Sequence, residues 1–317
     1  MASIVVNPPN ADKNITNGAT NWLWVVFGIM VLSFLSMVIW TFNRPRGTRL
    51  FHNIATVIFA TASLAYFSMA SDLGATPVEV EFSRGSPGTR QIWYVRYIQY
   101  FINFPLLLLL LLLPTGLSLS DVLTTAFFGW VVVISGLVGA LIPSSYKWGF
   151  YGFGVASLIY IWFILIFYAP RLPFPAGPSA RTEVKAGGIL VVFMTMLYPV
   201  AWACSEGANV ISPAREMVWY GIFDLITGPL FVFTYVFGLK SIDFSSFGLT
   251  SGKLSQGPGG MDANYMPNAG PASGPTGPGM VSTARGPTST SVGPGGRATP
   301  VPETPTTPGA TEPSPAA

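Results

Sequence analysis

Residues 219–240 read WYGIFDLITGPLFVFTYVFGLK and decide the fold class of the chain. The stretch is long and apolar enough to cross a membrane as a single helix. One charge, Asp224, lies inside it, and a carboxylate at that depth is costly unless it faces a bundle interior and has a partner. Gly228 follows one helical turn later on the same face, whereas the nearest lysine, Lys240, lies at the end of the stretch. The stretch therefore predicts a bundle of membrane-spanning helices built around a buried acid.

The composition excludes several classes of protein. Half of the 317 residues are hydrophobic and only 9% are charged, whereas a soluble domain carries about 25% charged residues, so the composition predicts an integral membrane protein. The net charge of +3 is scattered along the chain, so no nucleic-acid partner is expected. The lone cysteine, Cys204, excludes an intrachain disulfide and a cysteine-built zinc site. With His52 as the one histidine, we expect no metal site, no catalytic residues and no enzyme.

Six further apolar stretches precede the first one, and together they predict an all-α membrane protein with a seven-helix bundle. The predicted spans are A (21–42), B (50–72), C (91–113), D (120–142), E (146–168), F (183–205) and G (213–240). The B–C loop alternates apolar and polar residues at 78–82 and then carries the turn residues Gly85, Pro87 and Gly88, which predicts a short hairpin. Residues 1–20 are polar and lack a cleavable signal, so span A is expected to target the chain.

Basic residues in the loops predict the orientation of the bundle. The A–B and E–F loops carry Arg44, Arg46, Arg49, Arg171, Arg181 and Lys185, and the loops on the other side carry Arg84, Arg90, Lys147 and Arg215. This excess favours the A–B and E–F loops as cytoplasmic. Seven spans then put the N-terminus outside the cell and the C-terminus inside it. Asn14, in the tripeptide Asn-Ile-Thr, is a glycosylation candidate that is compatible with this orientation.

The composition changes near residue 246 and divides the chain into a polar extracellular N-terminus (1–20), a seven-helix membrane domain (21–245) and a tail (246–317). Gly, Pro, Ser and Thr dominate the tail. Such a segment cannot bury enough apolar surface to offset its ordering entropy, so it is predicted to be disordered and cytoplasmic. The phosphorylation candidates in Ser/Thr-Pro pairs are Thr299, Thr304, Thr307 and Ser314. These pairs indicate proline-directed phosphorylation or partner docking, or else only an ordinary solvated tail.

Two strongly charged residues, Arg96 and Asp224, are predicted to lie deep in the spans. Opposite charges in a low-dielectric bundle are most easily explained as partners. The other members of the predicted buried polar network are Gln99, Asn103, Tyr66 and Tyr198. This network is either a polar plug that holds the bundle together or part of a ligand or ion site.

Motifs on separate spans resemble those of the microbial rhodopsins. Span C contains RYxxxxxxxPLLLL from residue 96, span D contains GLVGAL at 136–141, span F contains YPVAW at 198–202, and span G carries its aspartate. The segment SLAYFSMASDLG at 63–74 resembles the end of span B in fungal opsins. The resemblance covers residues 20–245. It implies a seven-helix opsin-like bundle, a fold in which the family holds retinal as a Schiff base on a span-G lysine.

That lysine is absent from this chain. Gly228, followed by Pro229, stands at the family's lysine position, four residues after the aspartate. A Schiff base needs a primary amine, and the lysines at 147, 185 and 240 all lie near span ends. The resemblance also places Gln99 at the position of the primary proton acceptor and Leu110 at that of the cytoplasmic proton donor. We therefore expect no covalently bound retinal and no other cofactor.

The resemblance further implies a vestigial pocket where retinal would lie. Its lining is expected to include Tyr100, Gly136, Tyr151, Thr195 and Trp202. Tyr100 and Thr195 stand where tryptophans sandwich retinal in the family, whereas Trp202 is kept. The smaller side chains at these positions and at Gly228 predict that a cavity persists.

The lost groups compensate each other electrostatically. A pigment of this family balances the Schiff-base cation and an arginine against two carboxylates, and this chain lacks both the lysine and the carboxylate that Gln99 replaces. Arg96 and Asp224 are then expected to cancel, whereas loss of the lysine alone would leave an uncompensated buried anion. Glu206 and Glu216 match the family's proton-release acids, but without a proton acceptor they are expected to be solvated loop charges.

Within the superfamily the chain resembles the fungal opsin-related proteins, a group that includes the 30-kilodalton heat-shock protein of the yeast plasma membrane. This resemblance implies a stress-linked, non-photoactive plasma-membrane protein that restrains the proton ATPase or acts like a chaperone. The alternative is a noncovalent small-molecule sensor or transporter that uses the vestigial pocket, and a retinal-based pump or photoreceptor is least favoured. The expected partners are the lipid bilayer and other membrane proteins, and a homo-oligomer is compatible with the fold.

Overall fold

The structure, a computed structural model, describes residues 3–45, 48–81, 88–174 and 177–241. The described residues all belong to one compact unit. The predicted tail at 246–317, with its phosphorylation candidates Thr299, Thr304, Thr307 and Ser314, lies outside the described residues. The same holds for Arg46 in the A–B loop and for Arg84, Gly85 and Pro87 in the predicted hairpin turn.

Seven helices of the described chain are long and apolar enough to cross a membrane, which confirms the predicted seven-span membrane protein. Their bounds are Asn17–Phe42 (span A), Leu50–Ala70 (B), Tyr94–Leu112 (C), Leu119–Leu141 (D), Lys147–Arg171 (E), Gly177–Gly207 (F) and Pro213–Gly238 (G). A single short turn of helix, Ser3–Val6, precedes span A. Consecutive spans from A to E pack against their neighbours, and span G returns to pack against span A.

Local capping explains where several spans begin. Thr16, Ser118 and Ser212 precede spans A, D and G, and each side-chain oxygen accepts a hydrogen bond from a first-turn amide of its helix. Such caps satisfy amide groups that have no partner inside the helix. Pro213 occupies the first position of span G, where its missing amide hydrogen costs nothing. Three predicted starts differ from the structure by three residues or more. Span A begins at Asn17 instead of residue 21, and span F begins at Gly177 instead of residue 183. Span C begins three residues later than predicted, because residues 89–92 form a strand.

Spans E, F and G each change from α-helix to a wider π-helical turn. The π-helical segments are Ile164–Tyr168, Ala203–Gly207 and Ile226–Leu230. The segment in span G contains Gly228 and Pro229, and the proline removes one amide donor from the helix ladder. A π-helical turn inserts a residue and rotates the helical face, and such turns occur frequently at functional sites. The wide turns therefore determine which side chains of spans F and G point into the bundle.

Apolar side chains divide between the inside and the outside of the bundle. The interior is packed with buried aliphatic and aromatic residues from all seven spans. Large apolar side chains such as Leu32, Leu64, Phe153 and Ile189 are exposed on the outward faces. Outward apolar faces on helices of this length are what a lipid environment requires. The chain is therefore an integral membrane protein.

A small β structure covers one end of the bundle, which we call the hairpin end. Strand β1 (Thr76–Glu79) pairs antiparallel with β2 (Thr89–Ile92), as the alternation in the B–C loop predicted. The N-terminal segment adds to this hairpin through a parallel bridge between Lys13 and Arg90. The side chain of Gln91 accepts a hydrogen bond from the Ile15 amide and donates one to Asp72. The polar N-terminal segment is therefore tied to the hairpin and to the end of span B.

Candidate functional site

Asp224 is buried near the middle of span G and accepts four hydrogen bonds. The phenol groups of Tyr66, Tyr198 and Tyr100 donate to its carboxylate at 2.7, 2.6 and 3.0 Å. The amide nitrogen of Gln99 donates at 3.1 Å. An ionised carboxylate offers about four lone-pair sites, so these donors saturate it. The donors come from spans B, C and F, which makes this carboxylate the point where four spans meet.

The prediction that Arg96 is the partner of Asp224 is wrong. The Arg96 guanidinium donates to Glu206 at 2.6 Å and to Glu216 at 2.7 Å. Its face also lies 3.8 Å from the ring centroid of Tyr220. The physical reason is the depth of each residue along the helix axis. Arg96 lies in the first turn of span C, at the hairpin end, whereas Gln99 lies one turn deeper and reaches Asp224.

Glu206 and Glu216 are buried, so the prediction that they are solvated loop charges is also wrong. Their side chains have no exposed surface. The π-helical turn at the end of span F carries Glu206, and Glu216 lies in the first turn of span G. Tyr97 donates a hydrogen bond to Glu206. The two acids therefore hold Arg96 between the ends of spans F and G.

Arg90 completes this group, which we call the charge cluster (Arg90, Arg96, Glu206 and Glu216). Arg90 lies on strand β2, is buried, and donates to Glu216 at 2.5 Å and to the backbone oxygen of Ile211 at 2.7 Å. From the sequence, Arg90 is predicted to be a loop charge at the end of the B–C loop. Its position inside the predicted hairpin, next to a span end, is the one signal that could have indicated burial.

The charge balance differs from the one predicted. The charge cluster contains two arginines and two glutamates and is neutral by itself. Among the described residues, no lysine or arginine forms an ion pair with Asp224. The carboxylate is stabilised by neutral donors alone, which spread its charge without cancelling it. The expected cancellation of Arg96 by Asp224 is therefore replaced by a neutral cluster and a separate buried anion.

The predicted polar network is only partly connected. Tyr66, Tyr198 and Gln99 contact Asp224, as expected, whereas Asn103 donates to the backbone oxygen of Ile58 at 3.1 Å. The side-chain oxygens of Gln99 and Asn103 are buried, and neither has a hydrogen-bond partner in the described part of the chain. Two buried acceptors on span C are therefore left without a donor.

A cavity of about 170 Å³ lies next to Asp224. All five residues predicted for the vestigial pocket line it: Tyr100, Gly136, Tyr151, Thr195 and Trp202. Trp202 stacks on Tyr151 at a centroid distance of 5.3 Å and donates from its indole nitrogen to the backbone oxygen of Gly136 at 3.1 Å. Gln99, Asn103 and Asp224 belong to the same lining, which also includes Arg96. The structure therefore brings together the predicted pocket and most of the predicted polar network.

Gly228 lines this cavity and leaves room for a side chain. A Cβ added there would meet its nearest atoms, Met30 Cε and Phe59 Cε1, at 3.7 and 3.8 Å, which is ordinary van der Waals contact. The lining residues include no lysine. Lys147 lies at the start of span E, where its amine donates to the Glu206 backbone oxygen at 3.5 Å. These residues do not fit a retinal bound as a Schiff base, because none of the described residues presents a primary amine to the cavity.

The remaining candidate, Asn14, is exposed on the N-terminal segment and donates to the Ala11 backbone oxygen at 3.0 Å. It lies near the start of span A, away from the cavity. His52, the single histidine, is buried against Trp40 at a centroid distance of 4.9 Å. No group of three or more His, Cys, Asp or Glu side chains that could hold a metal ion occurs among the described residues.

Seven spans, a span-G aspartate held by phenols and an aromatic cavity beside it define an integral membrane protein of the opsin type. The model of the family described as bacteriorhodopsin-like protein matches residues 17–242, and the chain belongs to this family. Protein FDD123 of Trametes versicolor is 53% identical over 89% of this chain and 97% of its own length. The 30 kDa heat shock protein of Saccharomyces cerevisiae is 31% identical over 69% of this chain and 72% of its own length.

Solved structures agree with this family. The light-driven proton pump CsR of Coccomyxa subellipsoidea superimposes with a TM-score of 0.68 at 29% identity and covers 71% of this chain and 98% of its own. A light-driven proton pump of Leptosphaeria maculans superimposes with a TM-score of 0.66 at 26% identity, over 71% of this chain and 95% of its own. The opsin-like bundle predicted from the sequence is therefore confirmed.

Proposed function

We propose that this protein is a non-photoactive member of the opsin family that regulates other membrane proteins under stress. The observation that carries the proposal is Gly228, whose side chain is a single hydrogen atom. A retinal pigment needs a lysine amine at this position of the cavity. Without that amine, no light-sensitive Schiff base forms. The function must then come from contacts with other molecules, in the bilayer or through the tail at 246–317.

The surroundings of Asp224 support a role without proton transfer. Gln99, at the family's proton-acceptor position, donates its amide to Asp224 and takes up no proton at physiological pH. Glu206 and Glu216 are held by two arginines. The buried ionisable groups therefore stabilise the bundle, and a catalytic activity is not proposed.

The relative named 30 kDa heat shock protein supports the link to stress. The family resemblance suggests the plasma membrane as the location and the proton ATPase as one protein that is restrained. A chaperone-like contact with other membrane proteins would use the outward apolar faces of the spans. A homo-oligomer would form through the same faces. We propose that the N-terminus is extracellular and that the tail reaches partners from the cytoplasm.

The absence of a pigment is tested by an absorption spectrum of the purified protein after incubation with all-trans retinal. We expect no visible band for the native chain. The Gly228→Lys variant supplies an amine where the structure has room for it, and a band in that variant alone would show that the cavity accepts retinal once the lysine is restored. A stable visible band in the native chain would contradict the proposal.

The regulatory role is tested by deleting residues 250–317. The bundle is expected to remain folded, because the described spans and their contacts lie before the deletion. Proton-ATPase activity in plasma membranes from heat-stressed cells is expected to be higher in cells that lack the protein than in cells that express the full chain. The truncated chain should fail to restore the lower activity, with membrane abundance matched by an N-terminal tag. Full restoration by the truncated chain would contradict a role for the tail.

The second candidate function is a noncovalent small-molecule sensor or transporter, and the cavity of about 170 Å³ favours it. Its walls are largely apolar and include a few polar groups, which is typical of ligand sites. Gly228→Trp is expected to fill the cavity and abolish ligand-dependent activity. Ligand-dependent activity that survives this substitution would exclude the cavity as the site.

A further inference from the structure

We infer that the cavity beside Gly228 binds a small amphiphilic cation, a molecule with an ammonium group and an apolar body, without a covalent bond. This inference rests on the second proposed function and specifies its ligand class. Three features of the cavity carry it: an uncancelled charge, two acceptors without donors, and apolar walls of limited volume.

The first feature is the charge of Asp224. Four donors point at its carboxylate, so both oxygens are fully hydrogen-bonded in the ionised form. Arg96 also lines the cavity, and its Nε has no hydrogen-bond partner among the described residues. Its charge is balanced by the salt bridges to Glu206 and Glu216. An isolated buried charge is costly, and the cost falls when a counter-charge approaches. The Asp224 carboxylate therefore favours a positively charged ligand over a neutral or negative one.

The second feature is the pair of amide oxygens on span C. The Gln99 amide nitrogen is directed to Asp224 and the Asn103 amide nitrogen to the backbone of Ile58, so both amide orientations are set by their acceptors. Their oxygens, Gln99 Oε1 and Asn103 Oδ1, are buried without a hydrogen-bond partner in the described chain. A buried acceptor without a donor is destabilising, because its lost hydration is not compensated. An ammonium group carries three donors and no acceptor, which matches this set of groups.

The third feature is the aromatic and apolar wall. Tyr100 and Tyr198 meet edge to face at a centroid distance of 5.5 Å beside the acid, and Trp202 lines the cavity further along. Aromatic faces attract cations, and the attraction is larger when water is excluded. The volume of about 170 Å³ is close to that of an apolar cavity of about 150 Å³ that accepts benzene. The ligand is therefore a ring-sized apolar group that bears one amine.

The inference is tested with three probes of nearly equal shape: 2-phenylethylamine, 2-phenylethanol and propylbenzene. Binding of each to the full-length protein in lipid nanodiscs is measured by calorimetry at pH 7, where the amine is charged. We expect the amine to bind about tenfold or more tightly than the alcohol, because it adds a charged hydrogen bond, and propylbenzene to bind most weakly. Equal affinities for the amine and the alcohol, or no binding of any probe, would overturn the inference.

Two variants locate the binding. Asp224→Asn removes the charge and should abolish the preference for the amine while alcohol binding persists. Gly228→Leu fills the cavity and keeps the Asp224 carboxylate, so it remains informative if Asp224→Asn fails to fold, and it should weaken binding of both probes by about tenfold or more. Gly149→Leu is the matched control, because no heavy atom lies within 4 Å of an added Cβ there, and it should bind as the native chain does.

Amine binding that persists unchanged in Gly228→Leu would place the ligand elsewhere and contradict the inference. Partitioning of the probes into lipid is the same for both leucine variants and cannot produce a difference between them. A failure of these binding tests leaves the regulatory proposal intact, because that proposal is tested by the retinal spectrum and by the tail deletion. A visible retinal band in the native chain would instead contradict the regulatory proposal. The inference about the amine would still be decided by the three probes and the two variants.

Discussion

At the scale of single residues, the stability of the buried charges depends most on Glu216. Its carboxylate is fully buried and accepts from Arg90 at one oxygen and from Arg96 at the other. This single carboxylate, on span G, therefore links strand β2 and span C to span G. Asp224 is the contrasting case, because three phenols and one amide support it and no single partner is indispensable.

Glu216→Gln should strongly destabilise the bundle, because two buried arginines would then share one carboxylate. Breaking a buried ion pair by removing one partner costs about 3–5 kcal/mol. Thermal unfolding in detergent, followed by circular dichroism, measures the change. Glu79→Gln, on the exposed end of strand β1, is the control and should leave the midpoint nearly unchanged. A loss for Glu216→Gln no larger than the control would mean that the charge cluster does not stabilise the fold.

At the scale of helices and strands, the close approach of spans C, F and G depends on a glycine in span F. A Cβ added at Gly187 would lie 2.9 Å from Leu111 Cδ2, 3.0 Å from Phe231 Cε2 and 3.1 Å from Tyr235 Cδ2. Three neighbours on two helices crowd the same point, so no single side chain can move aside to relieve it. Small residues allow membrane helices to pack closely in this way.

Gly187→Ala should therefore lower the free energy of unfolding by about 1–3 kcal/mol, the usual cost of overpacking a core. Gly149→Ala tests the same chemical change in span E, where no heavy atom lies within 4 Å of the new Cβ. The two variants are compared by thermal unfolding under identical detergent conditions. Equal stability of both variants would contradict tight packing at this crossing.

The attachment of the N-terminal segment to the hairpin should depend on pH through Asp12. The backbone amide and hydroxyl of Thr89 donate to this carboxylate and lower the pKa of Asp12 below its ordinary value. A lowered acid pKa stabilises the attached state above the ordinary pKa of about 3.9, and that contribution is lost as the pH falls through the lowered value. Hydrogen exchange of the Thr89 region should therefore accelerate at strongly acidic pH.

The matched control is Asp12→Asn, in which this acid-dependent acceleration should disappear. Asp72 acts in the opposite direction, because burial raises its pKa and outweighs the hydrogen bond from Gln91. The comparison is therefore made in an Asp72→Asn background. Acid-dependent exchange that persists after both substitutions would show that another group controls the attachment.

At the scale of the whole molecule, the bundle has two chemically different ends. The hairpin end is closed by the N-terminal segment, the two strands and the charge cluster. The opposite end carries arginines that bond to backbone oxygens, as Arg44 does to Lys240 at 3.1 Å and Arg181 does to Pro170 at 2.7 Å. Basic residues near span ends face the cytoplasm in most membrane proteins.

This distribution predicts that the hairpin end faces the outside of the cell. Asn14 is exposed at that end, so glycosidase treatment of the protein from its native membrane should increase its mobility in gel electrophoresis if the sequon is used. A fluorescent protein fused to the C-terminus should be protected from protease added to intact cells, whereas an N-terminal epitope should be cleaved. The reverse pattern would contradict the predicted orientation.

Much of the architecture follows from the sequence because membrane spans are encoded locally. Seven apolar stretches, the alternation in the B–C loop and the shared helical face of Asp224 and Gly228 each depend on residues close together in the chain. The predicted lining of the cavity also agrees with the structure, because the family resemblance placed Tyr100, Thr195 and Trp202 on known helical faces. Where residues are near in sequence or carried by regular helices, spacing is sufficient to position them.

The pairing of the buried charges was decided by the tertiary structure alone. Arg96 and Glu206 are 110 residues apart, and Arg90 and Glu216 are 126 residues apart, so their contact depends on how the ends of spans C, F and G meet. The π-helical turn of span F carries Glu206 at that meeting point, and the strand places Arg90 above it. The sequence by itself determined a seven-span bundle with a buried acid and no retinal lysine, because these are local facts. Which cation meets which anion was decided by tertiary packing, because an ion pair forms only where the fold brings both charges within a few ångströms.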